Sequence, residues 1–580
     1  MKHTWLEPLL LFPFLLTSCQ SFVKDDKITV MIEKGDDYRV FSPTVRIKRG
    51  ENASFQLGLL NDSRITAVSY DDYALEYSGN TAFLTLKNVL YPTLVSVSTT
   101  TDFVSVDFSG GSLIGEEEKD YRYPLYLEHK RVNLPDLDLI KDGYQLYGYK
   151  EDGMQESIPL GSRFDRKCQK LVADFKKETS RSSFVVSRLS ADTCKLVSYC
   201  GNEKEIILPS FIDGMKLVAI DNGCFINTDA DILFIPYSVH RIEAGSFLNC
   251  RIQTLSLFDE FYAISDSSFV NTSIHSLRIN TRNNPCYMNT YFALFSDKCD
   301  LLYQYQNERK IVLFSGSTTR YGYDSSLLEA AYPDYHPINM GVFAYTNQMP
   351  QLEIIEHFLS DGDVLLVSPE FDVNALDLQF FVDRKLDYRF FRMVEADYQL
   401  FSYVDLSRYT GVFDAFFAYM AEKREMYSQD YSVSPLYYDD DGNQYNSKIY
   451  NEYMDFSLDR KGDILSGRIY QPEIDYTVSR FTYELFDRYN SFYDSYTAKD
   501  VKVLYTYAPR NIDSLTKEST IENRRELERL LNDRIHLPII SSMEDSFYPA
   551  YDFYKIDDHL TSEGARMRTE KIIEDLRSYL

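Results

Sequence analysis

The sequence predicts a multidomain protein in which N-terminal all-β modules and a short repeat solenoid precede a C-terminal α/β domain of three layers. Short runs of alternating apolar and polar residues, broken by Asn, Asp and Gly, fill the first part of the chain and are typical of strands. A 22-residue period recurs in the middle, and apolar strands alternate with helices after about residue 300. The 580 residues also exceed what one hydrophobic core accommodates, so several domains are expected.

The N-terminus has the pattern of a secretory signal. The apolar run LLLFPFLL at residues 9–16 is far shorter than the roughly 20 residues that span a bilayer, and it fits the hydrophobic region of a signal peptide. The sequence Leu-Thr-Ser follows and ends in Cys19, which resembles a bacterial lipobox. The resemblance implies a lipoprotein signal at 1–19, acylation of Cys19 and a lipid-anchored location at the extracellular face of the membrane. An ordinary cleaved signal with a chance cysteine is the alternative.

Composition excludes several kinds of partner. The formal net charge is −27 at pH 7, so the surface repels nucleic acid and anionic lipid headgroups. Nucleic acid is therefore not an expected partner, and attachment to the membrane is expected through the lipid anchor only. The seven cysteines after Cys19 include no Cys-x-x-Cys pair and no Cys/His cluster, so neither a disulfide framework nor a structural zinc site is predicted. No metal or organic cofactor is implied.

Two β modules are predicted before the repeats. Residues 28–112 contain short strands spaced as in a small sandwich, and this pattern resembles a bacterial Ig-like domain. Residues 121–180 include DGYQLYGYKEDGMQESIPLGSRFD at 142–165, which resembles the Listeria–Bacteroides repeat. The resemblance implies a small β-rich spacer module, with glycines in its turns. The residues that match the motif are Gly143, Tyr144, Gly148, Gly153, Gly161 and Ser162.

An internal repeat follows the β modules. Columns of identical residue types recur every 22 positions, which is hard to obtain by chance. A unit this short cannot bury its own apolar face, so successive units must stack. The columns are Ile220, Ile242 and Ile264; Phe225, Phe247 and Phe269; and Asn227, Asn249 and Asn271.

The repeat pattern resembles the BspA-like leucine-rich repeat and covers about 185–285. Stacking predicts that Ile242, Phe247, Ile264 and Phe269 point into one coil and are buried. The resemblance implies an extended face suited to binding a host or cell-surface protein. With roughly four units predicted from the period, a role as a spacer is the alternative.

From about residue 300, buried apolar strands alternate with helices. This alternation predicts a parallel sheet with helices on both faces, and a functional site at the carboxyl ends of its strands. The predicted strands are 310–316, 337–341, 364–371, 501–509 and 537–542, and the predicted helices are 325–333, 348–363 and 520–533.

The residue types needed for acyl transfer follow these strands. A Gly-Ser pair ending in Ser317 follows the first strand, Asn-Met-Gly341 follows the second, and Asp-Asp-His559 precedes the last helix. A serine nucleophile needs a neighbouring base, the oxyanion needs fixed N–H donors, and the imidazole needs an acid to fix its tautomer. Taken alone, such a serine is most often a turn residue and such a His motif a solvated loop.

In this order the motifs resemble the SGNH/GDSL hydrolase family over 300–580. The region also resembles a lipoprotein subgroup with the motifs Gly-Ser-x4-Gly-x-Asp-Ser, Asn-Met-Gly and Gly-Asp-x-Val-x4-Pro-Glu-Phe/Tyr. This sequence has GSTTRYGYDS, NMG and GDVLLVSPEF in the same order. The resemblance implies a three-layer α/β fold in which Ser317 is the nucleophile and His559 the base. It also implies that the amides of Ser317 and Gly341 contribute to the oxyanion hole.

This chain departs from the SGNH/GDSL family pattern at two positions. The family's third block supplies an Asn to the oxyanion hole, whereas Ser-Pro-Glu370 stands here, which leaves Asn347 as a candidate donor. The family's acid precedes the His by three residues, and that residue is Ile556. Asp557, two residues before the His, is the preferred acid instead, and Asp558, one residue before it, is the alternative.

These patterns predict a lipid-anchored extracellular serine esterase or O-acyltransferase. Its expected substrates are acyl groups of glycans or envelope polymers. The alternative is a non-enzymatic surface adhesin or binding protein with a degenerate SGNH-like domain. The motifs leave open the substrate and the choice between hydrolysis and transfer.

Overall fold

The computed structural model of the chain divides into two compact units. The first runs to Phe103, and the second holds Val104–Tyr123 and Glu128–Leu580. Cys19 and the rest of the predicted signal lie outside the described residues. The structure describes residues 27–60, 63–78, 80–100, 103–113, 120–124, 131–133, 139–165, 168–283, 285–287, 290–342, 344, 346–371, 384–426, 449–469, 473–480, 483–497 and 500–580.

The first unit is built of strands, as the alternating pattern predicts. In the strand Ala53–Leu59 every second side chain is buried, because successive residues of a strand point to opposite faces. The strands form three sheets, in the orders β3-β1-β8, β2-β4-β7-β6 and β5-β9. The strands are β1 (Lys27–Ile32), β2 (Tyr38–Val40), β3 (Thr44–Lys48), β4 (Ala53–Leu59), β5 (Arg64–Val68), β6 (Tyr73–Ser78), β7 (Thr81–Leu86), β8 (Thr93–Val95) and β9 (Val97–Thr100).

The second unit begins with a β module whose main sheet has the order β12-β10-β17-β15. Strand Phe103–Asp107, predicted within the 28–112 module, pairs in parallel with Lys170–Lys177 and so joins this later sheet. The strands are β10 (Phe103–Asp107), β11 (Ser112–Leu113), β12 (Asp120–Pro124), β13 (Arg131–Asn133), β14 (Leu139–Ile140), β15 (Tyr144–Glu151), β16 (Arg163–Asp165) and β17 (Lys170–Lys177).

This β module packs along the side of the repeats. Lys176 Nζ lies 3.0 Å from a carboxylate oxygen of Glu205, in the first strand of the main repeat sheet. Arg278, in the last strand of that sheet, donates a hydrogen bond of 3.0 Å to the carbonyl of Tyr147. Gly148 permits this contact, because a Cβ there would lie 2.4 Å from the Arg278 guanidinium. The module therefore contacts both ends of the repeat array.

A buried ion-pair network joins the same module to the C-terminal region. The Arg163 guanidinium is 2% exposed and bonds to Asp300 at 2.7 Å and to Asp297 at 2.9 Å, both on the first helix of that region. Gly161, two residues earlier, has a positive φ of 82°, and a Cβ there would meet the Thr281 methyl group at 2.2 Å. The glycine of the motif is therefore required both by its backbone conformation and by close packing.

The repeats form a solenoid with parallel registers. Phe225 pairs with Phe247 and Phe247 with Phe269, so equivalent residues of successive units lie side by side. The main sheet has the order β20-β24-β27-β29, and a short one has the order β23-β26-β28. The strands are β18 (Phe184–Arg188), β19 (Thr193–Tyr199), β20 (Glu205–Ile207), β21 (Phe211–Ile212), β22 (Met215–Ile220), β23 (Phe225–Ile226), β24 (Asp229–Phe234), β25 (Arg241–Ile242), β26 (Phe247–Leu248), β27 (Arg251–Phe258), β28 (Phe269–Val270) and β29 (Ser273–Asn280).

The predicted burial inside the coil is confirmed. Ile242, Phe247, Ile264 and Phe269 are all buried, with exposures between 0% and 8%. The phenylalanine rings stack face to face, with centroids 4.8 Å apart between Phe225 and Phe247 and 4.9 Å apart between Phe247 and Phe269. The 22-residue period is therefore a ladder of aromatic rings in the core.

The asparagine column has a backbone cause. Asn227, Asn249 and Asn271 have φ values of 52°, 54° and 50°, in the left-handed region that Asn tolerates better than other side chains apart from Gly. Each of these residues ends the Phe-containing strand of its unit and turns the chain toward the next strand.

We expect Asn249→Ala to destabilise the protein by about 1 kcal/mol, because alanine pays more than asparagine for the left-handed conformation. Asn249→Gly is expected to retain wild-type stability to within a few tenths of a kcal/mol, roughly the size of the Gly and Asn difference at such sites. Urea unfolding of the two variants measures the difference. Equal stability of the alanine and glycine variants would contradict a role of the positive φ.

The last coil is closed by a helix from the C-terminal region. Phe413, at the start of the helix Val412–Met426, stacks on Phe269 with ring centroids 4.0 Å apart and continues the aromatic ladder. The buried Lys423 amine on the same helix pairs with Asp259 of the solenoid at 2.6 Å. The solenoid and the C-terminal region thus share one continuous hydrophobic core.

The C-terminal region contains the predicted parallel sheet. Its order is β31-β30-β32-β33, with all neighbours parallel. The predicted strand 537–542 is represented by a single bridge between Ile539 and Tyr505, next to β33. The strands are β30 (Lys310–Phe314), β31 (His336–Asn339), β32 (Val364–Val367), β33 (Lys502–Tyr505), β34 (Arg510–Asn511) and β35 (Phe547–Tyr548).

Helices cover this sheet. The predicted helix 348–363 ends early, because the Asp363 carboxylate accepts the backbone N–H of Ser360 and of Lys310 and so forms a turn before β32. The α-helices are α1 (Leu294–Gln304), α2 (Ser317–Arg320), α3 (Ser325–Ala331), α4 (Met349–His357), α5 (Tyr388–Val394), α6 (Val412–Met426), α7 (Tyr483–Thr497), α8 (Ile521–Arg534) and α9 (Ser562–Leu576).

Candidate functional site

The strand order creates a crevice at the carboxyl edge of the parallel sheet. From β30 the chain proceeds outward to β31 on one side and to β32 and β33 on the other. In such open sheets ligands bind where the order reverses, outside the strand ends. Ser317 follows β30 and Glu370 follows β32, so these two residues stand on opposite sides of that point.

The turn after β30 presents Ser317 at the crevice. Ser317 is partly exposed, and neither its hydroxyl nor its N–H bonds to another residue that the structure describes. The next residue, Thr318, donates both its N–H and its hydroxyl to Glu370 Oε1, each at 2.8 Å. A Cβ on Gly316 would lie 2.6 Å from the same oxygen, so only glycine fits before the serine.

His559 packs against the same turn. Its ring lies 4.2 Å from that of Tyr321, centroid to centroid, and the N–H of Tyr321 donates to the carbonyl of Ser317 at 3.0 Å. The imidazole is 2% exposed, and its Nε2 atom is buried without a hydrogen-bond partner in the described part of the chain. The structure therefore brings His559 to the turn that begins with Ser317.

The surroundings of His559 keep it neutral. Burial lowers its pKa well below the ordinary 6.5, and four nearby cations lower the pKa further. A neutral imidazole with an unpartnered nitrogen can accept a proton, as a general base must. The cations are Arg320, Arg460, Arg510 and Lys555.

The two candidate acids have other partners. The buried Asp557 carboxylate accepts the N–H of Ile469 at 3.0 Å and the side-chain amide of Asn511 at 2.7 Å, so it joins two loops. An oxygen of Asp558 lies 3.7 Å from the Arg510 guanidinium, and its other oxygen is buried without a partner. Within the described ranges neither carboxylate hydrogen-bonds to the imidazole of His559.

The candidate oxyanion donors differ in their hydrogen bonding. The N–H of Gly341 donates to the Asn339 side chain at 3.0 Å, and Gly341 packs so closely on α2 that a Cβ would meet the Arg320 nitrogen at 2.3 Å. The Asn347 amide donates to the carbonyl of Lys385 at 2.9 Å and accepts from the Asp387 N–H at 2.6 Å. Asn347 thus holds a neighbouring loop.

The structure adds three site residues that the motifs did not identify as functional partners. Arg510 lies beside Asp558 and also donates to the carbonyl of Phe371 at 2.6 Å. The buried Asp455 accepts the side-chain amide of Asn339 and thereby orients the loop that contains Gly341. Glu370, which the sequence leaves open as a second acid near the site or a plain strand-end carboxylate, faces the turn of Ser317. A sequence signal exists for Arg510, since it follows shortly after a buried strand, but Asp455 lies in no motif.

Glu370 has an unusual protonation equilibrium. Burial and, to a smaller extent, the nearby Asp558 carboxylate raise its pKa from the ordinary 4.5 to about 7. The two hydrogen bonds from Thr318 and the charge of Arg510 act in the opposite direction. The residue therefore titrates close to neutral pH.

We expect the stability of the protein to decrease as pH rises from 5.5 to 8, because the folded state favours protonated Glu370 (pKa about 7) more than the unfolded state does. For this partly exposed carboxyl the decrease is about 1–2 kcal/mol. Glu370→Gln keeps an acceptor for Thr318 and is expected to remove that part of the pH dependence. Urea unfolding at both pH values measures it, and parallel curves for wild type and variant would contradict the assignment.

An open pocket adjoins the candidate site. Its wall includes the exposed apolar side chains of Ile464, Tyr551 and Met567. Arg460, also in the wall, donates to the carbonyls of Tyr321 and Leu560, next to the His559 ring.

Comparison with known proteins identifies the repeats. Residues 199–301 match the family model of the BspA type leucine rich repeat region in six copies. This confirms the predicted repeat type, and the match extends beyond 285 into α1. No curated protein shows significant sequence similarity to the chain. In the described residues, no helix is long and apolar enough to cross a membrane, and no cluster of His, Cys, Asp and Glu could hold a metal ion.

Proposed function

We propose that this protein is a lipid-anchored surface protein whose C-terminal region is an SGNH-like serine esterase or O-acyltransferase. Its substrates are acyl groups of extracellular glycans or envelope polymers. The main supporting observation is the neutral, buried His559, whose unpartnered Nε2 lies in a ring packed on Tyr321, one helical turn after Ser317. Ser317 begins the turn after β30, at the carboxyl edge of the parallel sheet, where such sheets bind their ligands.

The chemistry follows from these two residues. Ser317 Oγ attacks the acyl carbon while His559 takes the hydroxyl proton, and the imidazolium then returns that proton to the departing alcohol oxygen. The acyl group remains on Ser317. A water or an acceptor hydroxyl then attacks the acyl-enzyme, and His559 again takes the proton. The bond between the acyl carbon and Ser317 Oγ breaks, and the imidazolium returns the proton to Oγ. If water attacks, the acyl group is released as a carboxylic acid, and the reaction is hydrolysis. If an acceptor hydroxyl attacks, the acyl group is released as a new ester, and the reaction is acyl transfer.

The charges around His559 predict a slow enzyme. A typical triad places a carboxylate on the imidazole to stabilise the imidazolium that forms during the reaction. Here the charges that act most strongly on the His559 imidazole are cations, and they disfavour the imidazolium. Loss of the acid's contribution typically costs about 10,000-fold in kcat. Of the two candidate acids we assign the role to Asp558, because one of its carboxylate oxygens makes no hydrogen bond within the described structure. Asp557, in contrast, bonds to Ile469 and Asn511.

The test is a panel of acyl esters assayed with the full mature chain, because the solenoid and the C-terminal region share one core. Turnover that disappears in Ser317→Ala supports the proposal. Ser315→Ala is the matched control, since the Ser315 hydroxyl is buried and makes no hydrogen bond within the described structure. No turnover on any ester, or turnover unchanged by Ser317→Ala, would overturn the esterase.

A second candidate is a non-enzymatic binding protein. Two observations favour it: no carboxylate bonds to His559 in the described ranges, and the N–H of Gly341 is bonded to Asn339. In that case acylated glycans bind without turnover, or the repeats bind a cell-surface protein. Binding that persists in Ser317→Ala, together with the absence of ester turnover, identifies this function.

We predict that Cys19 is lipidated, which rests on the Leu-Thr-Ser-Cys order after the apolar run. Mass spectrometry of the mature N-terminus is expected to show an acylated cysteine as the first residue. Cys19→Ala is expected to release the protein from the membrane fraction. An unmodified Cys19, or cleavage elsewhere, would show that the prediction is wrong.

A further inference from the structure

Glu370 follows β32, and its carboxyl group contacts the turn that begins with Ser317, at a position where a neutral donor is expected. We propose that protonated Glu370 is a catalytic residue whose Oε2–H donates to the oxyanion that forms when Ser317 attacks an acyl carbon. This inference rests on the proposed esterase or acyltransferase function and names a further residue of the same site.

The hydrogen bonds of Glu370 determine which oxygen holds the proton. Oε1 accepts two hydrogen bonds from Thr318, both of 2.8 Å, so it acts only as an acceptor. Oε2 makes no hydrogen bond to any residue in the described part of the chain, and Glu370 is partly exposed. In the protonated acid the hydrogen therefore resides on Oε2, where a ligand can accept it.

The position of Glu370 suits the oxyanion. Its Oε1 lies 2.6 Å from the ideal Cβ position of Gly316, so the carboxyl group adjoins the residue before Ser317. The N–H of Ser317 donates to no described residue and is a second donor beside it. A carbonyl oxygen of a substrate attacked by Ser317 can lie between these two donors. The protonated carboxylic acid then donates a hydrogen bond to the oxyanion, as a side-chain amide does in other oxyanion holes.

The protonation state decides whether Glu370 helps or hinders. The groups that face it are the Asp558 carboxylate and the Arg510 guanidinium, and His559 beyond them is neutral. Burial and Asp558 raise the pKa of Glu370 to about 7. Below that pH the acid donates to the oxyanion, and no proton is transferred. Above it the carboxylate repels the oxyanion, so activity falls.

The experiment measures kcat/KM against pH with the best ester of the panel. Wild type is expected to lose activity roughly tenfold per pH unit above pH 7, as for one essential protonated group. Glu370→Gln keeps an acceptor for Thr318 and offers an N–H donor, so it is expected to remain active without an alkaline limb. Glu370→Ala is expected to lose about 100- to 1,000-fold at pH 6. Glu353→Gln, at a buried acid bonded to Tyr409 in another part of the fold, is the matched control.

The outcomes separate the two proposals. An alkaline limb that persists in Glu370→Gln, or a Glu370→Ala variant as active as wild type, overturns the role of Glu370 while the esterase stands. Circular dichroism establishes that each variant is folded, and if Glu370→Ala does not fold, the pH profile of Glu370→Gln decides. A phosphonate ester probe reports on Ser317 without turnover. Absence of both turnover and labelling overturns the esterase and the role of Glu370 together.

Discussion

Replacing Ser317 with alanine is expected to remove nearly all acyl-ester turnover, by about 10,000-fold or more. The alanine has no hydroxyl to form the acyl-enzyme, so only binding and oxyanion stabilisation remain. His559→Gln is expected to cause a similar loss, because no base then takes the serine proton. Since the two residues act as one unit, the double variant should be little worse than either single variant. Steady-state kinetics with the best ester measures all three.

The pH range of wild-type activity gives an independent check on His559. Burial and nearby cations hold the pKa of this imidazole well below 6.5, so it stays unprotonated and able to accept the serine proton in mildly acidic solution. Turnover should therefore persist at pH 6 rather than fall there. Losses that add up in the double variant would show that Ser317 and His559 do not work together as described. So would a turnover rate that falls as the pH is lowered from 7 to 6.5.

Replacing Phe247 with alanine is expected to destabilise the solenoid by about 3–5 kcal/mol. Phe247 is completely buried and stacks between two rings, with centroids 4.8 Å and 4.9 Å away. Its removal leaves a cavity in the middle of the ladder, because the coils on both sides are held by parallel strands. Urea unfolding followed by circular dichroism measures the loss in the second unit.

Ile226→Ala is the matched control for Phe247→Ala. Ile226 lies on a neighbouring strand of the same short sheet but is 52% exposed. Its replacement is expected to change stability by no more than about 0.5 kcal/mol. If both variants unfold alike, the phenylalanine ladder does not stabilise the solenoid in the way described.

The sequence predicted best those features that repeat or alternate. The 22-residue period of Phe225, Phe247 and Phe269 can be read from the sequence alone. Because identical units stack on one another, the rings of these residues also stack in the structure. The four main strands of the parallel sheet were predictable from buried apolar runs between helices. The end of the predicted helix at 363 was not, because it depends on the Asp363 turn.

Much of the candidate site depends on contacts that no local pattern reveals. Thr318 bonds to Glu370 over 52 positions of sequence, and Asn511 bonds to Asp557 over 46. The position of Ser317 directly after a strand of the parallel sheet was predictable, because buried apolar runs define the strand ends. The sequence did not show that Asp557 binds two other loops, because the hydrogen-bond partners of a carboxylate are known only from the three-dimensional structure.

The β module that runs beside the repeats has a consequence for how this gene can change. Solenoids commonly gain or lose units, because each unit contacts only its neighbours. Here the module bonds to the first strand of the main repeat sheet through Lys176 and Glu205, and to the last through Tyr147 and Arg278. One duplicated unit would separate these anchor points by about 4.8 Å more. Duplications and deletions within the array are therefore expected to be eliminated by selection, and homologous genes should keep a constant number of repeats.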